Sequence, residues 1–484
     1  MKKYYSFCIL IILSIIEIQV QTSCANIIPP TGGPKDSLPP VLVLAIPKDS
    51  TLNFKANKIT LTFDEYIQLD NQAVQTSLVV SPNPEITPII TAHLKDINIR
   101  LKDSLRPNTT YSINFGKALK DNNEGNIAKN FLYVFSTGDH IVNGRLSGKV
   151  QLAENGKTDS TLIVVLHSNL NDSAVKKLRP DYYATLDSLG RFKFQYVAYG
   201  KYAVYVLPND YTKRYDDSTK MFAFLEEPVA IDSVSSTEPV TLYAYNEYKA
   251  SKENGGSKGG GGKPQQPSGQ PSKKKPGNDN DTPKVIKYTM ALDNGHQDLL
   301  SNLDISFPEK LATFDSSKIS LTDSNFKPVS NYKIVADTSF QKFTLQHPWK
   351  EGEYFRLIIQ QDAFVDSSGK MLAKTDTLKF QTANESEYGS VRLRFPTIDL
   401  SLNPVVQFIQ NDKVIDSAAL TGIEFYRKLY KPGDYELRIL YDEDKNLTWT
   451  AGSFDLKRQP EIVIRLPRKF TVKKNWDNEG EINL

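Results

Sequence analysis

The sequence predicts an all-β protein made of tandem β-sandwiches, and three of its features lead to this fold class. Short runs alternate polar and apolar residues, as KITLTF does over residues 58–63, which is the pattern of half-buried antiparallel strands. Pro, Gly, Asn and Asp break these runs at short intervals, and no long stretch beyond the N-terminal segment has helical periodicity. The 24 Tyr and 23 Phe against four Met add a composition typical of strands.

Length and charge restrict the organisation further. A chain of 484 residues has room for roughly three to five domains of ordinary size. Its 59 Lys and Arg nearly balance its 56 Asp and Glu, for a net charge of +3. A dedicated nucleic-acid-binding protein would carry a strongly basic face, so we expect no nucleic acid among the partners.

The N-terminus has the layout of a secretory signal. Lys2 and Lys3 form a basic start, and an apolar run follows over residues 7–16, too short to span a bilayer as a stable helix. Cys24 falls where cleavage is expected, after small residues. Removal of a signal peptide over residues 1–23 would leave one cysteine, at the first position of the mature chain, so no disulfide could form within it.

This pattern resembles a bacterial lipoprotein signal, in which the cysteine is acylated and becomes the membrane anchor. The resemblance implies a lipid anchor on Cys24 followed by a Pro- and Gly-rich tether over residues 24–38. Two features depart from it, since Gln21 stands where Leu is usual and Glu17 lies at the edge of the apolar run. Ordinary cleavage after Ala25 is the alternative.

The chain repeats itself as two pairs of modules. Residues 105–139 match residues 349–384, and residues 192–216 match residues 425–449, with turns and alternating strands in the same order. The predicted division is therefore a first sandwich over residues 39–140, a second over 141–248, a linker over 249–283, a third sandwich over 284–384, a fourth over 385–470 and a C-terminal tail over 471–484.

The linker contains no aliphatic or aromatic residue over 251–283, so it cannot join a hydrophobic core. We expect it to behave as a flexible coil and to be the first place that a protease cuts, leaving two stable halves.

A turn followed by Tyr and then by apolar residues occurs once in each module. Such a tyrosine can hold a corner of a Greek-key sandwich through its hydroxyl, so we interpret these residues as structural. They are Tyr111, Tyr202, Tyr354, where the apolar positions slip by one residue, and Tyr435.

Residues 24–140 contain four long motifs in a fixed order, CANIIPPTGGPKDSLPP, KITLTFDEYIQLDN, LRPNTTYSINFGKALKDNNEGN and FLYVFSTGD. With these motifs the segment resembles the SbsA-type bacterial Ig-like domain, and more closely the envelope lipoproteins that carry it directly after their anchor cysteine. The segments around 145–245 and 388–466 resemble transthyretin or collagen-adhesin-B sandwiches, and the third module is a degenerate Ig-like domain. The resemblance implies a structural lipoprotein of the cell envelope, anchored in the outer membrane, without catalytic residues.

The residues themselves also show little chemistry. The five histidines are scattered without ligand spacing, and no nucleophile motif is present, so we expect no enzyme and no cofactor. The best metal candidate is the calcium-like alternation of Asp442, Asp444 and Asn446. No Gly follows at the turn position and no Glu closes the loop, which favours a solvated turn.

Many Asp residues are followed by Ser or Thr and then by an apolar or small residue. The tripeptide resembles an O-glycosylation acceptor of some bacteria with such envelopes, with Ser37, Ser104 and Ser417 as examples. The alternative is turn chemistry, because Asp and Ser side chains bind nearby backbone amides.

The leading hypothesis is a non-enzymatic, envelope-anchored lipoprotein that serves as a scaffold for contacts with envelope proteins or glycans. A carbohydrate- or matrix-binding adhesin is the alternative, and it would need an exposed aromatic platform among Trp349, Trp449 and Trp476. A second alternative is an accessory subunit of an envelope enzyme.

Overall fold

The predicted fold class is confirmed: a computed structural model shows four β-sandwiches in two duplicated pairs. It describes residues 35–233, 239–247 and 285–484. The predicted signal peptide, Cys24 and the predicted linker over 249–283 lie outside these residues. Two short helices are the only α-helical elements of the described part of the chain.

The first sandwich forms because its strands alternate as the sequence indicates. In the run KITLTF, Ile59, Leu61 and Phe63 are buried in its core while their neighbours face outward. One sheet has the order β1-β2-β6-β5 and the other β4-β7-β9, with β3-β8 as a side ribbon. The elements are β1 (Leu42–Ile46), β2 (Lys58–Phe63), β3 (Ile67–Leu69), α1 (Asn71–Ser77), β4 (Val79–Ser81), β5 (Ile89–His93), β6 (Asp96–Arg100), β7 (Thr110–Asn114), β8 (Leu119–Asp121) and β9 (Leu132–Ser136).

The second sandwich has a separate core between a three-stranded and a larger sheet. The orders are β13-β10-β17, in which β17 runs parallel to β10, and β12-β11-β14-β15, with β16 also paired to β14. Its elements are β10 (Gly144–Leu152), β11 (Leu162–His167), α2 (Ser173–Lys177), β12 (Tyr182–Thr185), β13 (Arg191–Val197), β14 (Gly200–Pro208), β15 (Ala223–Phe224), β16 (Val229–Ile231) and β17 (Val240–Ala244).

The third sandwich repeats the topology of the first. Its sheets have the orders β18-β20-β24-β23 and β19-β27-β25-β22, with β21-β26 as the side ribbon. The elements are β18 (Thr289–Met290), β19 (His296–Gln297), β20 (Leu303–Ser306), β21 (Leu311–Phe314), β22 (Ile319–Asp323), β23 (Lys333–Ala336), β24 (Lys342–Gln346), β25 (Tyr354–Ile359), β26 (Phe364–Asp366) and β27 (Asp376–Thr382).

The fourth sandwich repeats the second, down to the parallel pairing of its last strand with its first. The orders are β31-β28-β34 and β30-β29-β32-β33. The elements are β28 (Gly389–Arg394), β29 (Pro404–Gln410), β30 (Lys413–Ala419), β31 (Glu424–Tyr430), β32 (Gly433–Tyr441), β33 (Ile462–Val472) and β34 (Asp477–Glu481).

The predicted C-terminal tail over 471–484 is therefore wrong. Residues Asp477–Glu481 form β34, and β33 extends to Val472. The sequence DNEGE lacks apolar alternation because its acidic side chains point to solvent, while the backbone is held by the parallel ladder to β28. Asn478 is the inward exception, and its amide donates to the carbonyl oxygens of Ser390, Lys473 and Trp476.

Three of the four repeated tyrosines hold corners of their sandwiches. The hydroxyls of Tyr202 and Tyr435 each donate, at 2.9 Å, to the carbonyl oxygen four residues earlier. The Tyr111 hydroxyl accepts from the backbone N–H of Arg106 at 2.8 Å. All three side chains are buried.

The assignment of Tyr354 to this role is wrong. Its side chain is 60% exposed, and the next residue, Phe355, occupies the position that Tyr111 has in the first sandwich. Phe355 pairs and stacks with Phe380, as Tyr111 does with Phe135. The one-residue slip of the apolar positions was the sequence signal, since such a slip exchanges the two faces of a strand.

Candidate functional site at the junction of two sandwiches

Two central strands are buried on both of their faces, which a free-standing sandwich does not require. All six residues of β11 are buried, and so are six of the seven in β29. An antiparallel sheet with one solvated face alternates buried and exposed residues, so both outer faces must be covered. The sequences LIVVLH and PVVQFIQ show this pattern, since neither contains a Lys, Arg, Asp or Glu and neither alternates polar with apolar residues. The pattern was available in the sequence, but the covered faces were not predicted from it.

The second and fourth sandwiches pack against each other, so each covers the outer face of the other's central strand. We call this contact the junction. Its centre is Phe454, on the loop between β32 and β33, which inserts into an aromatic cluster of the second sandwich and is 2% exposed. Its ring centroid lies 5.0–6.2 Å from those of Phe222, Phe224, Tyr205 and Tyr215.

The second sandwich contributes a loop in return, the turn that follows β10. The carbonyl oxygen of Ala153 accepts from the backbone N–H of Val463 at 3.1 Å, which joins the two backbones directly. Gly156 in the same turn has φ +64°, and a Cβ there would lie 3.0 Å from the carbonyl oxygen of Val463. Both the backbone conformation and the close approach therefore favour glycine at this position.

One half-buried carboxylate, that of Glu247, links the two sides. Glu247 accepts from the hydroxyl of Tyr215 at 2.6 Å through one oxygen and from the backbone N–H of Phe454 at 2.7 Å through the other. Burial, together with the hydrogen bond to Glu247, raises the pKa of Tyr215 well above its ordinary value, so the phenol remains a donor. These bonds fix the position of the Phe454 loop.

Opposite charges meet around the rim of the junction. Lys157 pairs with Asp412 at 2.6 Å, and Lys176 pairs with Asp455 at 2.6 Å. A third pair, of reversed polarity, joins Lys457 to Asp172. Exposed pairs of this kind contribute about 0–1 kcal/mol each, so they orient the contact more than they stabilise it.

Similar polar contacts join the sandwiches within each pair. Between the first and second, Asn83 donates its backbone N–H to the carbonyl oxygen of Asp181 at 2.7 Å. Between the third and fourth, the Tyr388 hydroxyl donates to Asp298 at 2.7 Å and accepts from the Leu299 backbone N–H at 2.8 Å. The contacts thus connect the sandwiches in the order first, second, fourth, third.

The acidic loop of the fourth sandwich lies beside the junction. Asp442 and Asp444 are brought together as the spacing suggested, but the third carboxylate is Glu461, directly before the next strand. One oxygen from each lies within 4.8 Å of the others. Among the residues that the structure describes, this is the one group of three acidic, His or Cys side chains close enough to hold a metal.

Asn446 does not join that group. Its side-chain oxygen accepts from the backbone N–H and the hydroxyl of Thr448, at 2.6 and 2.5 Å. The acidic oxygens are likewise engaged by the loop itself: Asp442 accepts from the Leu447 N–H at 2.8 Å and Glu461 from the Thr450 N–H at 2.7 Å. Burial raises the pKa of Glu461 above its ordinary value.

The three candidate acceptor serines differ in accessibility. Ser37 and Ser104 are exposed, and Ser104 lies at the rim of a cleft of about 380 Å³ at one end of the first sandwich. Asp103 closes part of this cleft by accepting from the backbone N–H groups of Glu85 and Ile86. Ser417 is half-buried in the middle of β30, so its Asp-Ser pair does not form a turn.

The tryptophans do not form an aromatic platform. Trp349 is buried in the core of the third sandwich. Trp449 is partly buried at the junction, where its indole N–H donates to the Glu461 carbonyl oxygen at 2.7 Å. Trp476 is 63% exposed, with the Lys473 ammonium 5.5 Å from its ring centre.

Comparison with known proteins assigns a family to the first sandwich. Residues 36–137 match the bacterial Ig-like domain family Big_5. No curated protein matches the chain significantly. Within the described residues, no helix is both long and apolar enough to cross a bilayer.

The solved structures that match this chain include a pilin subunit and an S-layer protein. BcpA, the major pilin subunit of Bacillus cereus, is 10% identical, with a TM-score of 0.16, covering 70% of this chain and 99% of that one. The Bacillus anthracis TIE protein is 10% identical, with a TM-score of 0.14, covering 94% and 75%. The S-layer protein rSbsC is 8% identical, with a TM-score of 0.14, covering 90% and 54%.

At these scores the likeness carries no argument about function. The fold and the matched module define the class of protein: a multidomain β-protein with an N-terminal bacterial Ig-like domain.

Proposed function

We propose that this protein is a non-enzymatic, envelope-anchored lipoprotein whose sandwiches form a rigid scaffold for contacts with envelope proteins or glycans. The observation that carries the proposal is the junction, because it joins the two halves of the chain through a shared aromatic core. A string of independent modules would not need that core. Anchoring through Cys24, with the outer membrane as its site, is the second element of the proposal.

The polar groups of the described residues support a structural role. The acidic group Asp442, Asp444 and Glu461 is bound by N–H and O–H donors of its own loop, which shapes the turn beside the junction. The SbsA-type resemblance of the first sandwich is consistent with a surface or periplasmic role. Of the three tryptophans, only Trp476 is exposed enough to serve the adhesin alternative.

The anchor is tested by Cys24→Ser in the native host. The variant should leave the membrane fraction and lose labelling by a fatty-acid probe, because the anchor would supply about 0.8 kcal/mol per buried CH₂. Cys8→Ser is the matched control, since residue 8 lies within the predicted signal peptide and its loss should change neither result. Unchanged membrane retention and labelling of Cys24→Ser would refute the lipoprotein assignment.

A further inference from the structure

The first strand of the first sandwich exposes an unusual number of aliphatic side chains. Val43 is 66% exposed, Ile46 60% and Leu44 50%, on a strand that pairs with β2 alone among the residues that the structure describes. Large aliphatic side chains clustered on a surface mark a contact site far more often than scattered ones do. We call the exposed aliphatic residues of β1 and of the segment just before it the apolar stripe, and its members are Leu38, Val41, Val43, Leu44 and Ile46.

The duplicated sandwich provides an internal comparison. The register of β1 on β2 and of β18 on β20 makes Thr289 the counterpart of Leu44, since Leu44 faces Thr62 and Thr289 faces Ser306. By the same register Ala291 corresponds to Ile46. The third sandwich therefore has a polar and a small residue at the two positions where the first sandwich has leucine and isoleucine. The fold does not require the stripe.

The position of the stripe in the chain indicates what it contacts. Leu38 follows Cys24 by fourteen residues, which span at most about 50 Å even when fully extended. If Cys24 is acylated, the stripe is confined to the neighbourhood of the bilayer surface. The third sandwich has no such constraint near β18, and it has no stripe.

We propose that the apolar stripe docks the first sandwich on the bilayer by inserting its aliphatic side chains among the lipid acyl chains. This inference rests on the proposed lipid anchor and deepens it, because it orients the first module on the membrane instead of leaving it free on a tether.

The chemistry of the stripe favours lipid over a protein partner. It consists of Leu, Val and Ile, whereas the anchor residues of protein interfaces are enriched in Trp, Tyr and Arg. Strand addition by a second copy is disfavoured, since prolines bracket β1 and the register shifts between Leu42 and Leu44.

The charges next to the stripe specify which lipid it fits. Asp64 accepts from the Val41 N–H at 2.8 Å, and Asp36 accepts from the Leu38 N–H at 2.9 Å, so carboxylates lie at the upstream part of the stripe. Lys35, Lys48 and Lys95 are exposed next to the same residues, and Lys95 donates to the Asp64 carbonyl oxygen. Charges of both signs therefore surround the stripe and give little net attraction to anionic headgroups. Docking is therefore apolar, and it should occur on neutral phosphatidylcholine and change little between low and high salt.

The test uses the mature full-length chain carrying Cys24→Ser, sedimented with phosphatidylcholine vesicles. It should bind, and the double change Leu44→Lys plus Ile46→Lys should reduce its partition coefficient about tenfold or more, because a charge replaces an inserted side chain. The matched control is Thr289→Lys plus Ala291→Lys at the equivalent positions, which should bind like the parent. All four sites are solvent-exposed, so equal melting curves will show that the variants fold.

Failure of this inference is distinguishable from failure of the proposed anchor. Fatty-acid labelling of the unsubstituted chain reports on the anchor alone. Absence of vesicle binding by the Cys24→Ser parent, or equal loss in both double variants, overturns the inference whatever the labelling shows. A concentration-dependent dimer of the parent that Leu44→Lys plus Ile46→Lys abolishes would assign the stripe to a second copy, and would likewise overturn it.

Discussion

Phe454 is the single residue on which the junction depends most, because its ring is surrounded by four aromatic side chains of another sandwich. Phe454→Ala should lower the free energy of unfolding of the junction by about 3–5 kcal/mol, the usual cost of emptying a buried phenylalanine site. The measurement is the first transition in a urea titration followed by tyrosine and tryptophan fluorescence.

Leu456 is the matched control for this substitution, since it lies in the same loop and is 74% exposed. Leu456→Ala should change the same transition by no more than about 0.5 kcal/mol. Equal effects of the two substitutions would show that the loop does not dock as described.

His167 makes the second sandwich sensitive to acid. Its side chain is 1% exposed, its Nε2 has no hydrogen-bond partner, and burial lowers its pKa below the ordinary value. The native state therefore keeps the imidazole neutral, while the unfolded chain takes up a proton below pH of about 6.5. Native stability should fall as the pH drops through that value.

Below that pH, His167 should lower the free energy of unfolding by up to about 1.4 kcal/mol for each pH unit. The urea midpoint of the parent should therefore be lower at pH 5 than at pH 7.5. His167→Gln should make this difference smaller. His93→Gln, at an exposed strand position, should leave the difference as in the parent. If both variants keep the parental pH dependence, His167 is not the responsible group.

At the scale of the element, the acidic loop and the strand after it form one unit. Glu461 directly follows the loop, and its carboxylate accepts from the backbone N–H groups of Glu443 and Thr450. Glu461 therefore closes the loop that Asp442 begins. The sequence contains an alternating oxygen pattern, but it could not show that a residue seventeen positions after Asp444 would complete it. That proximity exists only because β32 and β33 are paired.

The loop should hold its shape without calcium. Its carboxylates accept hydrogen bonds from their own backbone, and Asn446 is committed to Thr448, so few oxygens are left to build the six to eight contacts that calcium prefers. We expect millimolar calcium, followed by chelator, to leave the melting curve of the full-length chain unchanged. A rise in melting temperature that Asp444→Asn removes would make the loop a metal site.

At the scale of the whole molecule, the junction changes what the linker does. The sequence predicts that cleavage within residues 249–283 leaves two stable halves, and the structure adds that these halves share a core. A specific protease site inserted in the linker should therefore yield two fragments that still coelute on size exclusion. Cleavage removes the millimolar effective concentration that a flexible tether supplies. Coelution would therefore show that the junction holds the two fragments together without the tether.

The same experiment with Phe454→Ala should release the fragments, whereas Leu456→Ala should not. Separate elution of the fragments from the unsubstituted protein would contradict the junction and, with it, the rigid scaffold.

The strand content, the duplication into two pairs and three of the four corner tyrosines could be predicted from the sequence, because they depend on periodicity and turn chemistry that are local in the chain. Tertiary structure decided which faces are covered. The burial of both faces of β11, the closure of the acidic loop by Glu461 and the pairing of β34 all depend on which segments meet. Phe454 contacts Tyr205, which lies more than two hundred residues earlier in the chain. The pattern of apolar residues along one strand indicates that a face is buried, but it does not indicate which segment covers that face.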